Sequence, residues 1–508
     1  MLAKVNSFGL NGLTGYKVDV EVDVSQGLPR YDIVGLPDAS VKESKERVRS
    51  ALRNAGFKFP ESRITVNLAP ASTRKEGPAF DLPIAVGLLS SSKQIDIKHK
   101  NDIIIIGELG LDGNIKAVNG ILPLLISARD EGYTHFIIPE GNKMEASYLK
   151  GITVYALKSL QDVAMLLTLA KAFEPVENID WKGDNQNNFA EDFARVKGQM
   201  VAKRAMEIAV AGGHNILMVG PPGSGKTMLA RCVPSLLPEL DFEEALEITK
   251  IHSVAGVLDL NKGVVTSRPF RSPHHTASVI ALTGGGRNAK PGEISLAHNG
   301  VLFLDEMPEY SRNTLETLRQ PLEDGVITVS RIASTVEYPA SFMLVASMNP
   351  CPCGNYGSRE LDCKCSPSAI DKYLKRLSGP LLDRIDLKID VDRVKFYDLA
   401  SESKEEPSSV VRERINKARC LQRERYKNES FHTNAKMSSA AVKKYCNIDD
   451  DTKRVLETAF EKFKMSARGY TRILKVARTI ADLAGNENIL KEHVIEAINY
   501  RNIENIQL

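Results

Sequence analysis

The chain has 508 residues, 43% hydrophobic and 26% charged, with 67 basic and 64 acidic side chains and a net charge of +3. That length exceeds one hydrophobic core, so several domains are expected. The near-neutral balance excludes a globally basic nucleic-acid binder and leaves room only for a local patch. No apolar run of about 18 residues exists, so no membrane span or membrane partner is expected. The opening MLAKVNSFGL lacks the apolar centre of a signal peptide, which points to the cytoplasm. In that compartment the seven cysteines serve more readily as thiols or metal ligands than as structural disulfides.

In chain order, Tyr16–Val24 alternates apolar and acidic residues, the pattern of a half-buried strand. Ile33–Leu36 reads as a partner strand, and Ala39–Ala55 as a charged amphipathic helix stopped by Gly56. Arg63–Leu68, Ile103–Gly107 and His135–Pro139 are further strands, and Asp81–Leu89 is a buried helix. Interleaved strands and helices give an α/β or α+β domain over residues 1–170. Two of its stretches, Leu68–Leu89 and Gly107–Ala128, resemble the proteolytic domain of Lon proteases, which has a ribosomal-S5-like fold. Lon-type enzymes use a Ser–Lys dyad. In the local match the nucleophile position falls on Ala79 and the lysine position on Leu122. Alanine has no attacking oxygen and leucine no basic nitrogen, so the resemblance implies the fold without protease activity.

Glu174–Ala190 is polar, aperiodic and rich in Asn and Asp, and marks a linker over 171–194. Phe193–Ala211 reads as a helix leading into the apolar strand Asn215–Val219. Next come Gly220, Pro221, Pro222, Gly223, Ser224, Gly225, Lys226 and Thr227, which fit G-x-x-x-x-G-K-[ST] between a strand and a helix. Such a loop turns backbone N–H groups and a helix N-terminus onto phosphates. Lys226 is placed to reach the β- and γ-phosphates of ATP, and Thr227 to ligate Mg²⁺.

Gly300–Glu306 is an apolar strand ending in two carboxylates. Asp305 is expected to hold Mg²⁺ through water, and Glu306 to polarise the attacking water. A third strand, Phe342–Ser347, leads to Asn349. A polar side chain there can orient the lytic water. That is the sensor-1 role in AAA+ ATPases, which this core resembles. In Ser378–Val391, Arg384 sits where AAA+ proteins of the MCM and magnesium-chelatase type carry an arginine finger, a group that acts across a subunit boundary. The other reading of Arg384 is a surface charge cluster with Asp383 and Asp386.

The run Val196–Val391 resembles the magnesium-chelatase-related AAA+ ATPases and, within them, the ComM/YifB family. The phrases that carry this are Phe270–Ser278, Gly284–Glu306, Ser347–Gly354, Ser378–Leu387 and Ala477–Gly485. The resemblance implies a homo-oligomeric, hexameric ATPase acting on single-stranded, forked or branched DNA, with branch migration during natural transformation. Residue chemistry adds a local basic stretch, Ser253–Gly292, with Asp259 as its one acid. Arg271, His274, His275 and Arg287 are its DNA-contact candidates, with Arg331 near the tip of a β-hairpin read at Val326–Glu337. Each of these equally suits solvent or a neighbouring subunit.

Cys351, Cys353, Cys363 and Cys365 form C-x-C-x₉-C-x-C. Four thiols so spaced can wrap one structural Zn²⁺; free thiols and redox-labile disulfides are the alternatives. After a charged linker at Ser401–Ser409, helices are expected at Val410–Lys427, Ser438–Cys446, Asp450–Phe463, Arg468–Ala484 and Lys491–Tyr500. Arg468, Arg472 and Lys475 share a helix face. An AAA+ lid closing over ATP would use Arg472 first and Arg468 second as its sensor-2 group; a solvated basic face is the bland alternative. The sum is an α/β multidomain chain with an N-terminal S5/Lon-like α+β domain (1–170), a P-loop ATPase domain (195–397) and an all-helical lid (398–508). An ATP-driven DNA motor is the first functional expectation. A protein remodeller and a chelatase-type metal-inserting subunit are the alternatives.

Overall fold

The computed structural model describes residues 1–97, 102–181, 189–286, 289–330, 335–357, 361–394, 405–463 and 465–501. The N-terminal unit is organised on a long hairpin. Leu2–Asn11 pairs antiparallel with Thr14–Ser25, in register from Leu2↔Asp23 to Asn11↔Thr14. The hairpin sits inside a seven-stranded mixed sheet in the order Arg30–Val34, Arg63–Ala69, Thr14–Ser25, Leu2–Asn11, Ile103–Ile105, His135–Pro139, Thr153–Leu157. Leu2–Asn11 escapes the sequence reading for a physical reason. Val5 to Gly9 are all buried, so a strand covered on both faces shows no alternation. Helix Asp81–Ser91 is buried along its whole length, and Arg47 clamps its first residue through two hydrogen bonds to Asp81, 2.6 and 3.0 Å long.

The central unit holds a five-stranded, wholly parallel sheet in the order Phe270–Arg271, Val301–Leu304, Met343–Met348, Ile216–Val219, Leu387–Asp390. The three middle strands are buried throughout, as an apolar sheet covered on both faces requires. Parallel strands all end on one edge, and that edge receives Gly220, Asp305 and Asn349. The single helix expected over Phe193–Ala211 is two elements, a 3₁₀ turn at Phe193–Arg195 and a helix at Met200–Gly212. Gly198 and Gln199 separate them with φ of 61° and 56°, left-handed values that no helix accommodates.

The C-terminal region is helical, with helices at Ser408–Arg425, Ser439–Tyr445, Asp450–Lys462, Ala467–Leu483 and Lys491–Asn499. Every bound lies within two residues of the expected one. Their apolar faces share one core with Met200–Gly212 and the central sheet. A buried polar knot ties them together. Asp482 accepts from Arg425 (2.5 and 3.0 Å), Arg478 (3.1 Å) and Asn434 (2.8 Å). Replacing Asp482 with Ala strands two guanidinium groups in the core, and a loss of about 3–5 kcal/mol is expected. Urea titration of the full chain followed by circular dichroism measures it. A midpoint equal to wild type would mean the knot carries no net stability.

The N-terminal unit rests on the central one. The Gly120 N–H donates to Ser253 Oγ at 3.0 Å, and Ser253 in turn donates to buried Glu145. Within the linker, the Trp181 ring lies 6.0 Å from that of Phe242.

Candidate active site

Strand Ile216–Val219 delivers the chain to Gly220, and helix Lys226–Leu236 carries it away. Between them Gly223 and Gly225 adopt φ of 77° and 90°, which glycine takes without a Cβ penalty. No side chain caps the helix start, so its first N–H groups stay open to an anion. Lys226 folds back over the loop. Its Nζ donates to Gly220 O (2.7 Å), Pro221 O (2.9 Å) and Asn349 Oδ1 (3.3 Å). Burial pushes this ammonium down to about 8, against the pull of Asp305 and Glu306.

That shift sets a pH dependence. A bound phosphate favours the charged lysine, so nucleotide binding takes up a proton once the free loop has begun to lose it. Affinity is expected to be indifferent to this group below pH 8 and to fall by up to about tenfold per pH unit above it. Calorimetry in two buffers of different ionisation enthalpy counts the proton. Zero uptake on the alkaline side would contradict the assignment.

Thr227 Oγ1 donates to Asp305 Oδ2 at 2.9 Å, which places a hydroxyl and a carboxylate together as hard oxygen donors of the kind Mg²⁺ prefers. Ser347, which the sequence reading did not single out, donates to the other oxygen of Asp305. The Glu306 N–H is shared between Asp305 Oδ1 (3.1 Å) and Ser347 Oγ (3.3 Å). Glu306 itself has φ 51° and ψ 47°, a left-handed backbone uncommon for a side-chain-bearing residue. The turn splits two adjacent carboxylates. Asp305 faces Thr227, while Glu306 stands 56% exposed with His275 Nδ1 at 3.9 Å. Gln199 also joins the loop, donating to Ser224 O (3.2 Å) and Asp392 O (2.6 Å). It was hidden inside a helix that does not form at that point.

Lys226, Thr227, Asp305, Glu306 and Asn349 therefore converge on one sheet edge. Arg384 and Arg472 do not. Asp386 is hydrogen-bonded to Asn215, which precedes strand Ile216–Val219, so it lies at the opposite edge from Gly220. There Arg472 pairs with Asp386 and donates to Arg384 O at 3.2 Å. Arg384 pairs with Glu323 and donates to Pro380 O at 2.8 Å, with only 8% of the residue exposed. Arg468 also approaches Glu323, at 3.6 Å. Burial, and then repulsion from Arg319, Arg468 and Arg472, push the Arg384 guanidinium below its ordinary range. Burial disfavours the charge of Asp386, but Arg472 and His214 outweigh it and hold the carboxyl low. Arg472, expected as a sensor-2 group, is thus not brought to the phosphate loop of its own chain, because helix Ala467–Leu483 docks on the far edge of the sheet. Of the stripe, Arg468 is exposed, whereas the Lys475 ammonium turns inward and donates to Ala435 O at 2.9 Å.

The described DNA-contact candidates already have partners within the chain. Arg271 is held by Glu293 through two bonds of 2.6 and 2.7 Å, so its charge is already paired. Glu293 lies one residue beyond the stretch read as basic. His274 bonds Thr276 Oγ1 at 2.8 Å, and its ring lies 4.1 Å from that of His275, which faces Glu306. Arg287 and Arg331 lie outside the described residues. The hairpin forms, pairing Val326–Ser330 with Thr335–Pro339, and its exposed face carries Thr328, Ser330, Thr335 and Glu337. The four cysteines are brought together, with their sulfurs within 4.8 Å of one another. In the N-terminal unit, Leu122 is buried and Ala79 partly so. The Leu122 N–H donates to Glu145 Oε1 at 3.1 Å, and Ala79 O accepts from the Gly107 N–H at 2.9 Å.

Comparison with known proteins agrees with this anatomy. The magnesium chelatase subunit ChlI family matches residues 192–399, a second ChlI family matches 20–142, and the ChlI C-terminal family matches 405–501. Competence protein ComM of Haemophilus influenzae is 45% identical over 505 residues, covering 98% of this chain and 97% of that protein. The uncharacterised protein YifB of Escherichia coli K12 is 40% identical over 506 residues, covering 99% and 98%. Lon protease 2 of Bacillus subtilis is 26% identical over 171 residues, 31% of this chain and 30% of the protease. With a ChlI-type core and full-length likeness to both ComM and YifB, the chain belongs to the ComM/YifB family of magnesium-chelatase-related proteins.

Proposed function

We propose that this protein is an ATP-hydrolysing AAA+ motor that works as a homo-oligomeric, hexameric ring and translocates on DNA, driving branch migration. The observation that carries the ATPase reading is the meeting of Lys226, Thr227, Asp305 and Asn349 at one edge of the sheet, with Glu306 exposed beside them. Lys226 and the loop amides bind the phosphates, while Thr227 and Asp305 hold the nucleotide's Mg²⁺, which neutralises developing charge. Glu306 takes a proton from the attacking water, and Asn349 orients that water.

The ring reading is supported by the division of parts across the sheet. One edge has the phosphate loop and the other has Arg384 and Arg472, so head-to-tail stacking would bring one chain's arginines to the next chain's nucleotide. The DNA load is supported chiefly by likeness to a relative named a competence protein, and by a polar-faced hairpin suited to backbone tracking. ATPase rate measured with single-stranded, duplex and forked DNA across a salt series tests it. Stimulation that declines with salt is expected. Rates indifferent to every DNA would reject the motor on DNA and favour a protein remodeller.

A further inference from the structure

The segment between strand Met343–Met348 and helix Pro367–Leu374 carries four thiols at close quarters. Cys351 Sγ lies 3.4 Å from Cys353 Sγ and 3.6 Å from Cys363 Sγ, and Cys353 lies 3.6 Å from Cys363. A disulfide needs about 2.0 Å, so these pairs are not bonded to each other. Four thiolates about 2.3 Å from one tetrahedral Zn²⁺ stand about 3.8 Å apart, close to the spacing seen. Cys351 is fully buried and the other three are partly covered. The Tyr356 N–H points at Cys351 Sγ, 3.4 Å away, the kind of donor that stabilises a metal-bound thiolate. Gly354 and Gly357, with φ of 81° and 75°, supply the left-handed turns that fold one Cys pair back on the other.

The end of that strand and the segment after it touch the phosphate loop at three points. Met348 O accepts the Gly220 N–H at 3.2 Å, and Asn349 Oδ1 accepts from Lys226 at 3.3 Å. Gly354 lies against Pro222 so tightly that a Cβ on it would stand 2.3 Å from Pro222 Cδ. Cys351 and Cys353 fall between the second and third of these contacts. Whatever fixes the thiols therefore fixes the wall of the loop.

We propose that Cys351, Cys353, Cys363 and Cys365 bind one Zn²⁺, and that this metal braces the phosphate loop through Asn349 and the Gly354–Pro222 contact. The zinc half stands on the thiols alone; the brace rests on reading Gly220–Thr227 as a nucleotide site. Zinc replaces the thiol protons, which leave to solvent, and closes its shell with protein sulfur, so the site is structural. Without it, the nucleotide must order both the phosphate loop and the segment that backs it, and that ordering subtracts from affinity.

The test uses the full chain, with zinc counted by mass spectrometry and affinity read with a fluorescent ATP analogue. The expected result is about one zinc per chain. Stripping the zinc should weaken nucleotide binding at least about tenfold, and re-adding it should restore binding. Cys363→Ser with Cys365→Ser should do the same, and stripped wild type serves if that variant fails to fold. Zinc well below one per chain after growth in zinc-replete medium overturns the metal site. Full zinc in wild type, with unchanged affinity after stripping, overturns the brace and leaves the metal. If zinc-loaded wild type binds no nucleotide, the nucleotide reading itself fails and the brace falls with it, while the zinc count still judges the metal site.

Discussion

Glu306→Gln is expected to hold ATP with near wild-type affinity and to hydrolyse it about 10²–10⁴-fold more slowly. The two halves of that result come from different atoms. On the proposed reading, affinity resides in Lys226, the loop amides and the Thr227–Asp305 pair, and the Glu306 side chain stands clear of them at 56% exposure. Only its backbone N–H is tied in, to Asp305 and Ser347, and glutamine leaves that N–H in place. What glutamine removes is the oxygen basic enough to take a proton from water. Single-turnover hydrolysis beside equilibrium binding separates the two effects. Turnover near wild type would move the base elsewhere, and lost binding would mean the carboxylate also holds the nucleotide.

Arg384→Ala carries the second large effect, a loss of hydrolysis on the scale of about 10³-fold or more, with nucleotide still bound. Within one chain Arg384 lies at the wrong end of the sheet to touch its own phosphate loop. On the proposed ring, its effect on hydrolysis passes between subunits. Mixing Arg384→Ala with Lys226→Ala is the decisive form of the experiment. Each is inactive alone, yet about a quarter of randomly mixed head-to-tail contacts pair a sound loop with a sound arginine. Recovered turnover in the mixture is the expected outcome. Full activity of Arg384→Ala alone, or a mixture as dead as its parts, would remove the shared site. Arg384 also pairs with Glu323, which is about half exposed, so the substitution leaves that carboxylate to solvent rather than stranded in the core.

The parts of the site legible in the sequence are those that neighbouring residues encode. Gly220–Thr227, Asp305-Glu306 and Asn349 each end a strand whose apolar run is visible in one dimension, and all three meet as expected. The C-terminal helices were equally plain, because amphipathic period and capping residues are local signals. What could not be read depends on partners distant in the chain. Arg271 looked free until the fold set Glu293 beside it, and Ser347 acquires a role only because Asp305 is its neighbour on the next strand. Which sheet edge Arg472 meets is not legible either, because spacing along a helix says nothing about where that helix docks. Leu2–Asn11 was silent because burial on both faces erases the alternation that marks a strand.

The separation of Lys226 from Arg384 by the width of the sheet has a consequence for counting. On the proposed head-to-tail scheme, an isolated chain owns two half-sites and no whole one. An open string leaves an unused loop at one end and unused arginines at the other. Closing the string converts both orphans into one further working site. Dilution should therefore silence the enzyme before it empties the nucleotide pocket, and a ring missing one member would lose two sites while losing only one chain.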